Sequence, residues 1–194
     1  MTTILLPEAW RRRALVLRET TIVLDWFDAE ELAEASALSL PKRRAEWLLS
    51  RAAAKALAVD LGLAVAPAAC HVADRRMASS FVSLSHSAPY AAAAIDSLPV
   101  GVDVQVVRAL DERAAHLFLT EEETAAMRRT NIADRLIHFW AAKEAVWKQL
   151  GGSSVTLKRI PLTLEGETGR GLSFGSVETY RDDDVVVALT RPTF

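Results

Sequence analysis

The segment Gly101-Val102-Asp103-Val104-Gln105-Val106 alternates apolar and polar residues. On a strand, residues two apart share a face. Val102, Val104 and Val106 are therefore expected toward the core, with Gly101, Asp103 and Gln105 on the opposite side. Two oxygen-bearing side chains at that spacing suit a hard cation such as Mg²⁺, which takes one or two carboxylates beside phosphate oxygens and water. A half-buried strand with a merely polar outer face explains the same pattern. Further along, Phe139-Trp140-Ala141-Ala142-Lys143-Glu144-Ala145-Val146-Trp147-Lys148 has helical spacing. Trp140, Glu144 and Lys148 fall on one stripe at steps of four, and Lys143 and Trp147 on the next. A carboxylate bracketed by tryptophans and partly removed from water suits base or metal duty. The plain alternative is an amphipathic helix with an ordinary Glu–Lys pair, contributing roughly 0.3–0.5 kcal/mol.

Two further groups could meet a ligand. Arg44, Arg51 and Lys55 lie within about 40° of one another on a helical wheel, with no acidic residue on that line. Such a stripe fits an anion such as a phosphate, or simply a solvated face. His86 stands in Ser83-Leu84-Ser85-His86-Ser87 at a strand-to-turn junction, where ligand contacts and purely structural histidines both occur. There is no Gly-x-Ser-x-Gly elbow, Walker loop, dinucleotide fingerprint or His-x-x-x-His pair. Arg outnumbers Lys 18 to 5, so a retained lysine, such as Lys143 or Lys148, marks a position where a compact ammonium matters.

The elements that must position these groups are legible in outline. Helices are expected over 28–38, 42–61, 120–129 and 132–150. Ser39 is the expected cap of the second, Pro41 fits its first turn, and Gly62 its end. Thr120-Glu121-Glu122-Glu123 reads as a capping box. Strands are expected over 21–26, 81–84, 100–107, 172–179 and 184–190. Four alanines leave 90–95 open between helix and strand. The order suggests a duplicated α+β arrangement, with halves 1–98 and 99–194 and no fixed-period repeat.

Composition narrows the class. The 194 residues are 51% hydrophobic and 25% charged, with a net charge of −2, which fits a compact protein and argues against a general nucleic-acid binder. A single cysteine, Cys70, excludes an internal disulfide and fits a reducing compartment. No apolar run reaches the ~18 residues of a membrane span, and the N-terminus lacks the order of a signal peptide. A cytoplasmic protein without membrane or nucleic-acid partners is expected.

Taken together, Ser-Leu-Ser-His-Ser, Gly-Val-Asp-Val-Gln and Trp-x-x-Lys-Glu-Ala-x-x-Lys-x-x-Gly resemble the 4′-phosphopantetheinyl transferases of the surfactin-synthetase-activating type. The resemblance covers roughly residues 40–152 and is most specific over 140–151. It implies two similar α+β halves in one chain, related by a pseudo-twofold axis with the active site between them, an arrangement that permits a monomer. The implied reaction moves the 4′-phosphopantetheine arm of coenzyme A to a serine of an apo acyl or peptidyl carrier protein and releases adenosine 3′,5′-bisphosphate. A carrier of fatty-acid, polyketide or nonribosomal-peptide synthesis is the implied partner.

By the same resemblance, Asp103 and Glu144 hold Mg²⁺, with Gln105 as a third oxygen donor. Glu144 also accepts the serine proton, and Lys148 stabilises charge on the phosphate. Lys143 fixes Glu144 or reaches the nucleotide. Ser85 and His86 contact coenzyme A, and Arg44, Arg51, Lys55 and Arg76 hold its 3′-phosphate. Two departures stand out. The family strand usually ends in Glu where this chain has Gln105, which removes a charge and predicts weaker Mg²⁺ binding with activity retained. Upstream of Ser83, a common Gly-Lys-Pro segment is replaced by Asp74-Arg75-Arg76-Met77. Arg108, Arg113, Arg128 and Arg129 are candidates to meet an acidic carrier, or a solvated surface. A degenerate paralogue that binds coenzyme A or carrier without turnover is the alternative, and a Mg²⁺-dependent nucleotide pyrophosphatase a third reading.

Overall fold

The computed structural model describes residues 2–18, 23–73, 75–152 and 155–192. The chain divides into two compact units, Met1–Leu98 and Pro99–Phe194. Each is α+β, with helices on a five-stranded antiparallel sheet.

The first unit comprises β1 (Thr2–Thr3), α1 (Glu8–Arg11), β2 (Ala14–Arg18), a 3-10 turn (Leu24–Trp26), α2 (Ala29–Ala37), α3 (Pro41–Asp60), a second 3-10 turn (Pro67–Ala69), β3 (Arg76–Met77), β4 (Ser80–Ser87) and β5 (Tyr90–Asp96). Its sheet runs β1-β2-β5-β4-β3. The alanine-rich 90–95 segment is strand, because β5 pairs with β2 on one side and β4 on the other. Its small side chains let α3 lie close: Ala91 and Ala93 share a buried cluster with Ala52, Ala53 and Ala58. Leu40, not Ser39, is the N-cap of α3, and no side-chain oxygen caps it. Pro41 occupies the first turn, where its missing N–H costs nothing. The helix ends at Gly62 (φ +70°), with Gly62 N–H donating to Val59 and Leu63 N–H to Ala58, a Schellman closure.

The second unit comprises β6 (Val102–Val106), a 3-10 helix (Glu112–Leu117), α4 (Glu121–Arg129), α5 (Arg135–Gln149), a 3-10 turn (Leu157–Arg159), β7 (Leu164–Thr168), β8 (Gly171–Phe174), β9 (Val177–Asp182) and β10 (Val185–Thr190). Its sheet runs β6-β10-β9-β8-β7. In both units a strand precedes a short capped helix, a long helix and a 3-10 turn. A run of antiparallel strands then returns beside that first strand.

Several expectations are corrected. Helix α5 starts at Arg135 rather than Ile132, because Asp134 takes a left-handed conformation (φ 55°) just before it. Residues 172–179 form parts of two strands, β8 and β9, separated by a turn. Leu24–Trp26 is a 3-10 turn rather than strand, and Thr21 and Ile22 lie outside the described residues. Among the described residues, no helix is long and apolar enough to cross a membrane.

Candidate functional site

Helix α5 lies against β6 and β10, and Gly101 sets how closely. A Cβ at residue 101 would stand 1.8 Å from the Ala145 carbonyl oxygen, so only glycine fits this approach. Opposite it, Ala141, Ala142 and Ala145 are fully buried. The helix ends as α3 does: Gly151 N–H donates to Lys148 and Gly152 N–H to Trp147, with both glycines at positive φ.

This packing brings four of the candidate residues together. Asp103 is 2% exposed. Lys148 Nζ lies 2.7 Å from its Oδ1 and also donates to the Val102 carbonyl at 3.2 Å. Gln105 Nε2 donates to Asp103 Oδ2 at 2.8 Å. The buried aspartate thus has a cation on one oxygen and an amide on the other, and both offset its desolvation. Glu144 shares the stripe of Lys148, one turn earlier. Burial, then the Asp103 carboxylate, push its carboxyl above the usual range, while the Lys148 ammonium acts in the opposite sense.

The face of β6 differs from expectation. Asp103 and Gln105, not the valines, point toward α5: their register partners Ala188 and Val186 belong to the cluster that packs α5. Val102 and Val104 are fully buried on the other face. Burial on both faces means alternation alone cannot say which set meets the helix.

Asp103, Glu144 and Gln105 fit a hard divalent cation. Burial and the neighbouring Asp103 carboxylate raise the cost of ionising Glu144, and a dication relieves that cost with oxygen donors alone. In this arrangement Lys148 and the Gln105 amide occupy the Asp103 oxygens. Ligation by Gln105 requires its amide to turn so that Oε1 faces the ion. Beside Gln105 and Trp140 a cavity of about 140 Å³ is walled by Val106, Leu117, Phe118 and Ile137. Trp140 is held there edge-on against Phe118, with ring centroids 4.8 Å apart.

Lys143 points elsewhere. It is fully buried, its ammonium 2.7 and 2.8 Å from the Glu123 oxygens, and it also donates to the Ile160 carbonyl. Glu123 further accepts from the backbone N–H groups of Thr120 (2.9 Å) and Leu162 (2.8 Å). So enclosed, Lys143 offers no donor to a nucleotide; it pins α4 and the 160–162 segment to α5. Burial pulls its pKa down, against the Glu123 carboxylate. The capping box at Thr120 marked Glu123 as a helix start, but nothing local to the sequence reveals its lysine partner.

In the first unit, Lys55 is likewise fully buried, 2.9 Å from Glu31 and donating to the Cys70 carbonyl. It presents no ammonium to an outside anion. Arg44 donates to the carbonyls of Ala35, Ser36 and Leu38 at the end of α2. Arg51 stacks on Trp47 at 3.6 Å, and Arg76 on Phe81 at 3.4 Å. Ser85 is buried on β4, whereas His86 is exposed and 3.1 Å from Glu46. Asp74 lies outside the described residues. Asp28, Glu31 and His71 gather within 4.8 Å, but Asp28 and Glu31 form the capping box of α2 and Lys55 already supplies the cation.

Comparison with known proteins bears on the second unit. Residues 99–189 match the family described as the 4′-phosphopantetheinyl transferase superfamily. The second unit is similar to that superfamily. The chain is also similar to the 4′-phosphopantetheinyl transferase psf-1 of Bacillus pumilus, at 31% identity over 81 residues. That alignment covers 40% of this chain and 34% of the relative, so the chain spans about a third of that protein's length. Within the superfamily segment lie Asp103, Gln105, Lys143, Glu144 and Lys148, and of these Lys143 alone is turned away into a clamp.

Proposed function

We propose that the protein transfers the 4′-phosphopantetheine arm of coenzyme A to a serine hydroxyl of an apo acyl or peptidyl carrier protein, with adenosine 3′,5′-bisphosphate as the second product. The observation that carries this reading is the buried Asp103–Lys148 pair beside Glu144, within a segment of that superfamily. Attack of an alcohol on a diphosphate calls for positioning and charge neutralisation. Asp103 and Glu144 would hold Mg²⁺, with Gln105 as an added oxygen donor; when bound, the ion neutralises and orients the pyrophosphate. Lys148, released from Asp103, pairs with charge that develops on the phosphate. Glu144, its carboxyl pKa raised above the usual range by burial and the Asp103 carboxylate, is suited to take the serine proton. His86, Ser85, Arg51 and Arg76 are the first-unit groups proposed to meet coenzyme A. Arg44 and Lys55 keep the helices of that unit in place.

The test is intact-protein mass spectrometry of an apo carrier protein incubated with coenzyme A, Mg²⁺ and this protein. The expected result is a gain of one phosphopantetheine, abolished by EDTA and by Glu144→Ala. No gain across acyl and peptidyl carriers, or a gain that survives Glu144→Ala, overturns the reading.

A further inference from the structure

Away from Asp103 and Glu144, the second unit holds a larger groove, of about 590 Å³, between α4 and the 158–164 segment. Arg129, Lys158 and Arg159 line it together with Glu122 and Glu123. The Glu123 charge is met by Lys143, so Glu122 alone stands against three cations. Among the described residues neither Arg129 nor Arg159 is ion-paired. Lys158 donates to the His116 carbonyl at 3.0 Å, which leaves its charge unbalanced. The remaining wall is partly apolar, with Ala126, Pro161 and Leu162.

The first unit supplies an internal control. Glu31 and Glu123 are both third residues of capped nine-residue helices, and Lys55 and Lys143 both clamp them. Cys70 and Ile160 both follow three-residue 3-10 turns and accept from those lysines. Aligned on these anchors, Arg129 corresponds to Ala37, and Lys158 and Arg159 to Ala68 and Ala69. The scaffold therefore does not require the three cations. They are specific to the second unit, and they line a groove rather than meet an acidic side chain among the described residues.

We propose that this groove binds a small phosphate monoester with an apolar body. Guanidinium forks match a phosphate bidentately, and Lys158 adds a point charge. Ala126 and Leu162 would cover the organic part. The site is separate from the transfer reaction, so its failure leaves the proposed function standing, and the converse holds.

The experiment is calorimetric titration of the whole chain, without metal, coenzyme A or carrier, using phenyl phosphate and inorganic phosphate at low ionic strength. Saturable binding of one phenyl phosphate is expected, tighter than that of inorganic phosphate. The Arg129→Ala, Lys158→Ala, Arg159→Ala triple variant installs the side chains that the first unit already tolerates. It should keep its melting temperature and weaken binding at least about tenfold. Lys148→Ala should leave binding unchanged. No saturation into the ~10 mM range, equal binding by the triple variant, or loss only with Lys148→Ala overturns the proposal. So does binding of an acidic carrier protein through these cations while phenyl phosphate fails to bind.

Discussion

Lys143 and Lys55 make the same contact in the two units: each buried ammonium grips the capping-box glutamate of the preceding short helix and the carbonyl that follows a 3-10 turn. One residue beyond Lys143 comes Glu144, and beyond Lys55 comes Ala56; the position of Lys148 corresponds to Asp60. The same scaffold is thus used twice and carries the Glu–Lys stripe once.

Lys143→Met leaves the Glu123 carboxylate buried without its cation. A loss of about 3–5 kcal/mol is expected, read by denaturant unfolding, and Lys143→Met combined with Glu123→Gln should recover part of it. The KM for coenzyme A, measured on the folded fraction, should not move. A raised KM at unchanged stability would instead place Lys143 on the nucleotide.

Glu144 carries a conflict between stability and chemistry. Its folded pKa is raised, so its ionised form is penalised at any pH above that value, and stability falls as pH rises through the interval from the ordinary value to the folded one. Glu144→Gln should therefore melt a few degrees higher than the parent at pH 7 in EDTA, while transfer is lost. Mg²⁺ should raise the melting temperature of the parent and not of the variant.

Gln105→Glu sets a carboxylate where an amide now donates to Asp103. The variant should melt lower in EDTA and need about tenfold less Mg²⁺ for half-maximal transfer. An unchanged or higher Mg²⁺ requirement would remove residue 105 from the ion's surroundings.

Gly101→Ala forces a methyl group into the Ala145 carbonyl. Helix α5 must move away from β6, separating Lys148 from Asp103. Destabilisation of about 1–3 kcal/mol is expected, with a fall in kcat rather than in carrier binding, measured by thermal melting and steady-state kinetics.

His138 should dominate part of the acid limb. Its Nδ1 lies 2.8 Å from Thr179 Oγ1, its Nε2 has no partner among the described residues, and burial followed by Arg181 holds the pKa down to about 4. The unfolded chain binds the proton first, so stability present above about pH 6.5 is lost as pH falls toward 4, by about 3 kcal/mol. His138→Leu should flatten that part of the stability–pH curve.

What the sequence disclosed was mostly local. The capping box at Thr120 and the helix stop at Gly62 depend on residues a few positions apart, and Asp103, Glu144 and Lys148 stood out through motif spacing. What it withheld depended on distant partners. Lys55 sat on an arginine stripe by helical angle, but its burial follows from Glu31 and Cys70. The β6 faces were inverted because both are buried. The β5 alanines became strand only through pairing with β2 and β4.

The paired clamps also bear on the order in which the chain can fold as it is synthesised. Lys55 finds both acceptors within residues 31–70, so the first unit can neutralise its buried ammonium before residue 99 is made. Lys143 likewise needs nothing outside residues 123–160. Neither of these two lysines has to stay unpaired while its unit awaits the other, which suits domain-by-domain folding.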